Sequence, residues 1–187
     1  MDILEAKEYF IDLLDLMERS QETIRGYNSD LGLFESYLSR HKRGTIVSNV
    51  TVSDIEGFLL ELKRQGLAPA SRNRRLYTLR SFFKYCQRKG LCQDNPAALV
   101  EVIRLPYKER EYMTEEEVWT ILGAIESNLM LTVVALLFYS GLRIKEALNL
   151  RKSDVRLGEG VIRVRAGKGK RDRSVPICPK LLEILKE

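Results

Sequence analysis

Apolar residues recur every three or four positions through roughly the first hundred residues, which predicts helices separated by polar turns. The first helix is predicted from Leu4 to Met17. In the next, Ile24, Tyr27, Leu31, Phe34 and Leu38 form one core stripe in spite of Gly26 and Gly32. Ser53 and Glu56 make a capping-box pattern opening a helix with Ile55, Phe58, Leu59 and Leu62 inward, closed by Gly66. A fourth helix is predicted from Ser71 to Lys89, ending at Gly90, and Asn95-Pro96 opens a short helical stretch. Periodicity then disappears around Pro106, so the pattern divides into a domain over 1–104, a linker over 105–112 and a second domain over 113–187. Thr114 and Glu117 make another capping box, with Val118, Ile121, Leu122 and Ile125 as the apolar face. Leu129 to Tyr139 is apolar nearly all round and is expected at the centre of the second domain. After Leu150 the period shortens to two: Gly160 to Arg165 and Arg173 to Ile177 read as a hairpin, before a last helix from Pro179 to Lys186. The fold class is mainly α with a small antiparallel β-hairpin.

Composition narrows the classes. The chain has 187 residues, 44% hydrophobic and 30% charged, and no apolar run is long enough for a bilayer span. The acidic, helix-like N-terminus lacks the basic start of a secretory signal, so a cytoplasmic location is expected. Cys86, Cys92 and Cys178 form no Cys-x-x-Cys pair, His41 is the sole histidine, and neither a metal nor another cofactor is indicated.

Net charge is +5 and the pI about 9.1, and the placement of the charge is more informative than its total. From Ser71 to Cys92 there is no acidic residue among seven basic ones. On an ideal helix Leu76, Leu79, Phe82, Phe83 and Cys86 occupy roughly a third of the circumference, facing the core. Asn73, Arg74, Tyr77, Arg80, Ser81, Lys84 and Arg88 fall opposite, a face suited to double-stranded DNA. Arginine and lysine would meet phosphates or guanine edges, and Asn73 an adenine. Arg25 and Asn28 on the second helix are further candidates. A solvated basic face, or a helical protein-interaction domain meeting an acidic partner, is the alternative reading.

Two more cations suggest an anion site. Arg143 follows Gly141 at a helix start, where free N–H groups and the helix dipole favour an anion, and its fork suits a phosphodiester. Glu146, three residues on, reads as structural. Lys168 stands on a tight turn between Gly167 and Gly169.

The run Ser140-Gly141-Leu142-Arg143-Ile144-Lys145-Glu146-Ala147-Leu148 resembles the first catalytic arginine box of the tyrosine recombinase, or phage integrase, family. Gly167 to Ile177 resembles that family's lysine hairpin, and Thr23 to Leu31, Ser71 to Cys86 and Asn95-Pro96 resemble its SAM-like core-binding domain. The resemblance implies a DNA core-binding domain followed by part of a catalytic domain. It also implies that Arg143 clamps a scissile phosphate, that Lys168 protonates the departing 5′-oxygen, and that a tyrosine forms a 3′-phosphotyrosyl link without metal or nucleotide. Complete members self-associate as tetramers on two DNA sites.

Beyond the lysine hairpin the family also needs a His-x-x-Arg box, a later His or Trp, and the tyrosine. After Lys168 this sequence holds no histidine and no tyrosine. The chain is therefore expected to bind DNA without cleaving it, either as a fragment of a longer enzyme or as a naturally truncated relative, and to be monomeric off DNA.

Overall fold

A computed structural model describes residues 1–107, 109, 111–165 and 172–186. The chain separates into two compact units, Met1–Lys108 and Glu109–Glu187.

In the first unit, α1 (Ile3–Leu16), α2 (Gln21–Arg40), α3 (Val52–Arg64) and α4 (Pro69–Arg88) are followed by a 3-10 turn, Pro96–Ala98. The starts of α1, α2 and α3 are capped by side-chain oxygens. Asp2 accepts from the Glu5 N–H at 2.8 Å and Ser20 from that of Thr23 at 3.2 Å. The capping box of α3 is made by Thr51 and Asp54, with Asp54 accepting the Thr51 N–H at 2.9 Å, and the helix begins before the predicted Ser53–Glu56 pair. Both pairs satisfy the sequence pattern, and Asp54 wins because it is buried beside Arg43, 3.1 Å away. Pro69 starts α4 two residues ahead of the expected position, as its fixed φ allows at a first turn.

The expected stripes meet in one aromatic core. Phe10 and Phe82 stand edge-on with ring centroids 5.7 Å apart, Phe34 and Phe58 at 5.2 Å, and Phe82 and Phe83 at 5.2 Å. Besides Asp54 at the start of α3, a second carboxylate is buried in this apolar unit. Asp30 of α2 faces α4 and is held there by Arg74 and Thr78.

The second unit contains α5 (Glu115–Gly123), α6 (Asn128–Ser140), α7 (Ile144–Leu148) and α8 (Pro179–Ile184). Its sheet is antiparallel in the order β1 (Val155–Arg156), β2 (Val161–Val164), β3 (Arg173–Pro176), with Val164 paired to Arg173 and Val161 to Pro176. The Thr114–Glu117 capping box forms as predicted. β1 was not expected, because two residues are too few to show an alternation.

The expectation for α6 is corrected. Only Ala135 and Leu136 are buried in this helix, while Leu129, Met130 and Phe138 are exposed, Leu129 at 77%. Its described neighbours, α5, α7 and α8, cover part of the circumference, leaving an open apolar groove of about 680 Å³ lined by Leu129, Val133, Leu136, Leu148 and Leu157.

Candidate nucleic-acid interface and phosphate site

In the first unit, α4 presents the predicted inward arc: Leu76, Leu79, Phe82, Phe83 and Cys86 are at most 1% exposed. Two residues assigned to the outer face are not on it. Asn73 is buried, its amide donating to the Ile103 carbonyl at 2.8 Å and accepting the Ile103 N–H at 3.0 Å. Arg80 donates to the carbonyls of Ala97 at 3.0 Å and Val100 at 2.6 Å. The chain after α4 turns back along this flank, and the two side chains pair its backbone groups, which have no helix or sheet partner. An adenine contact by Asn73 is thereby excluded in this conformation.

Arg74, Tyr77, Lys84 and Arg88 remain exposed on α4, as do Arg25 and Asn28 on α2. Between the two helices lies a groove of about 240 Å³ bordered by Glu22, Thr23, Gly26, Arg74 and Tyr77. The Arg74 fork lies in it, each terminal nitrogen 2.8 Å from an oxygen of Asp30, with the side chain 55% exposed.

In the second unit, α6 ends at Gly141, whose φ of +61° is left-handed backbone that glycine adopts without strain. The chain then turns so that Arg143 is the N-cap of α7. The backbone at the start of α7 does not attract an anion, because α7 is one short turn and the Arg143 N–H already donates to Glu146 Oε2 at 2.9 Å. The cationic side chain is what remains. Arg143 reaches Glu146 Oε1 at 3.0 Å with one nitrogen and is otherwise 61% exposed.

Glu146 has a second arginine, which the sequence pattern did not single out. Arg173, the first residue of β3, grips both carboxylate oxygens at 2.9 and 2.7 Å. The Arg173 hydrogen bonds, then the Arg143 N–H, hold the Glu146 carboxyl well below the usual range, at about 2. Nothing local marks Arg173 in the sequence, since no linear pattern pairs a strand residue with a helix residue 27 positions earlier.

Lys168 lies outside the described residues, but the strands leading to and from its turn are described. After β2, Arg165 donates to the buried Asp154, and across the stem Arg163 meets Asp172 at 3.0 Å. With Arg173 on Glu146, the hairpin stem is tied both to the β1 side and to the arginine box.

Tyr139 sits on α6 with its hydroxyl buried and, among the described residues, without a hydrogen-bond partner; burial pushes its pKa up. Among the described residues no cluster of three His, Cys, Asp or Glu side chains is placed to hold a metal ion, and no helix is long and apolar enough to cross a membrane.

Residues 6–90 match the family model for the phage integrase N-terminal SAM-like domain, and residues 111–187 match that of the phage integrase family. A tyrosine recombinase of Thermosipho africanus is 33% identical over 189 residues, covering 96% of this chain and 65% of that protein. The chain belongs to the tyrosine recombinase, or phage integrase, family.

Among other tyrosine recombinases, XerD of Proteus mirabilis is 34% identical, covering 91% of this chain and 55% of its own length, and XerC of Myxococcus xanthus is 35% identical, covering 89% and 56%. The chain thus spans 55 to 65% of the length of these three tyrosine recombinases. The fold is also that of a lambda integrase dimer bound to a COC′ core site, with a TM-score of 0.82 at 18% identity over 100% of this chain and 68% of that one. The Tn1549 transposon integrase in complex with a circular intermediate DNA gives a TM-score of 0.79 at 17% identity, over 100% and 64% of the two chains.

Proposed function

We propose that residues 1–104 bind duplex DNA and that residues 113–187 supply the cations that hold one of its backbone phosphates, with 105–112 as the connection. The reading is supported most by Glu146, which braces Arg143 and at the same time ties the lysine hairpin to it through Arg173. In the first unit the DNA face is Arg74, Tyr77, Lys84 and Arg88 with Arg25 and Asn28, and Asn73 and Arg80 have the separate task of holding the returning chain. Relatives of the same fold are described in complex with DNA as dimers and tetramers, which supports DNA as the partner and self-association on it for the complete enzyme.

In the family reaction, a tyrosine oxygen attacks the phosphorus, a 3′-phosphotyrosyl bond forms, and the 5′-oxygen leaves with a proton. Arg143 would stabilise the charge gathering on the phosphate oxygens, and Lys168 would deliver that proton. Glu146 keeps the Arg143 fork in place. No metal or nucleotide is required, since the phosphotyrosyl link conserves the bond energy. Tyr139, beside the arginine box, does not fit the nucleophile's place, since its hydroxyl is buried and burial raises its pKa. A DNA-binding role agrees with the cytoplasmic location expected from the sequence.

The test is titration of a labelled duplex with the full chain and with the Lys84→Ala/Arg88→Ala variant. We expect the variant to bind more weakly and its log-affinity against log-salt slope to fall by roughly two, one per lost phosphate contact. An unchanged affinity and slope would remove α4 from the interface.

A further inference from the structure

Asp30 is a carboxylate 1% exposed inside a helical unit, and removing such a charge from water is tolerated only with close partners. Among the described residues its partners come from α4. The Thr78 hydroxyl donates to Oδ2 at 2.9 Å, Arg75 Nε stands 3.7 Å from Oδ1, and Arg74 lays its two terminal nitrogens on the two oxygens at 2.8 Å each. Thr78 and Arg75 are buried or nearly so, and both face Asp30 from α4. Arg74 differs, because its side chain is 55% exposed and an ion pair at such a site adds little to stability. What the pair does fix is direction. An arginine has five N–H donors, so a fork engaged by two of them keeps others open to the groove between the helices.

We infer that Asp30 is a positioning residue of the DNA-binding face: it holds the Arg74 fork across the α2–α4 groove, oriented for a backbone phosphate. The inference rests on the duplex-binding reading above. Gly26 of α2 belongs to the same arrangement, since Arg74 NH1 lies 3.7 Å from where a Cβ at that position would stand, and a larger side chain would displace the fork. A free arginine loses rotamer freedom on meeting a phosphate, whereas one already held by a buried carboxylate has little left to lose.

Charge alone predicts the opposite effect for Asp30→Asn. Removing a negative charge near a polyanion site should tighten binding. Positioning predicts that Asp30→Asn weakens duplex affinity about fivefold, the scale of ordering one long side chain. It also predicts a salt slope lower by roughly one, as for Arg74→Ala. In an Arg74→Ala background, Asp30→Asn has no further effect. Thr78→Val removes another partner of Asp30 without touching the fork and leaves affinity unchanged.

The measurement is duplex affinity against salt for the full chain and these variants, each confirmed folded by urea titration. Tighter binding by Asp30→Asn, or equal weakening in both backgrounds, overturns the positioning role while the DNA face stands. No effect of Arg74→Ala removes Arg74 from that face and the inference with it. Should Asp30→Asn not fold, Gly26→Leu takes its place. It is expected to weaken binding in the parent chain and to be silent with Arg74→Ala, and weakening in both would overturn the role.

Discussion

Glu146 gives the site its sharpest pH signature. Its carboxyl ordinarily titrates near 4.5 and is held at about 2 by Arg173 and the Arg143 N–H. A carboxylate depressed on folding contributes stability above its unfolded pKa and loses it as pH falls through the folded one. Acid unfolding of the full chain should therefore include a loss between about pH 4.5 and about 2 that Glu146→Gln abolishes. An identical acid profile for the two proteins would contradict the bracing role. Two glycines make a second test at this scale. At Gly32, mid-α2, no atom stands within 4 Å of an added Cβ, so Gly32→Ala should stabilise by about 1 kcal/mol through helix propensity. At Gly57 the added Cβ would collide with the Tyr37 hydroxyl, so the same change in α3 should destabilise. Urea midpoints moving in opposite directions verify the packing of α2 on α3.

Among the elements, α4 separates what a sequence pattern reveals from what it cannot. Its inward arc was legible because five apolar residues repeat at helical spacing, and its basic character because acidic residues are missing over the whole helix. The division of its outer face was not legible. Asn73 and Arg80 differ from Lys84 and Arg88 only because residues 95–103 fold back beside them, a contact between distant positions. Arg80→Ala should lower unfolding stability by about 1–3 kcal/mol, leaving the Ala97 and Val100 carbonyls unpaired. Lys84→Ala should leave stability within about 0.5 kcal/mol and act on duplex affinity instead. The same division holds in the second unit. Periodicity predicted the hairpin and Gly141 the break before Arg143, whereas the Arg173–Glu146 pair joins a strand to a helix and left no local trace. The apolar run of α6 predicted a central helix, and periodicity cannot say how many neighbours surround it.

At the scale of the whole molecule, the proposed function pairs a helical unit that would grip duplex DNA with a unit whose Arg143 and Lys168 would hold one of its phosphates. A nicked duplex that traps covalent intermediates should give no protein–DNA adduct with this chain, read on a denaturing gel, and an adduct would contradict the assignment of Tyr139 as a buried, inert residue. The proposed phosphate site is best tested by a double-mutant cycle on duplex affinity with Arg143→Ala, Lys168→Ala and the pair. Two cations on the same phosphate are coupled, so we predict that the double variant loses less than the sum of the single losses, by at least about 0.5 kcal/mol. Strictly additive losses would mean that the two residues meet different phosphates and form no common site.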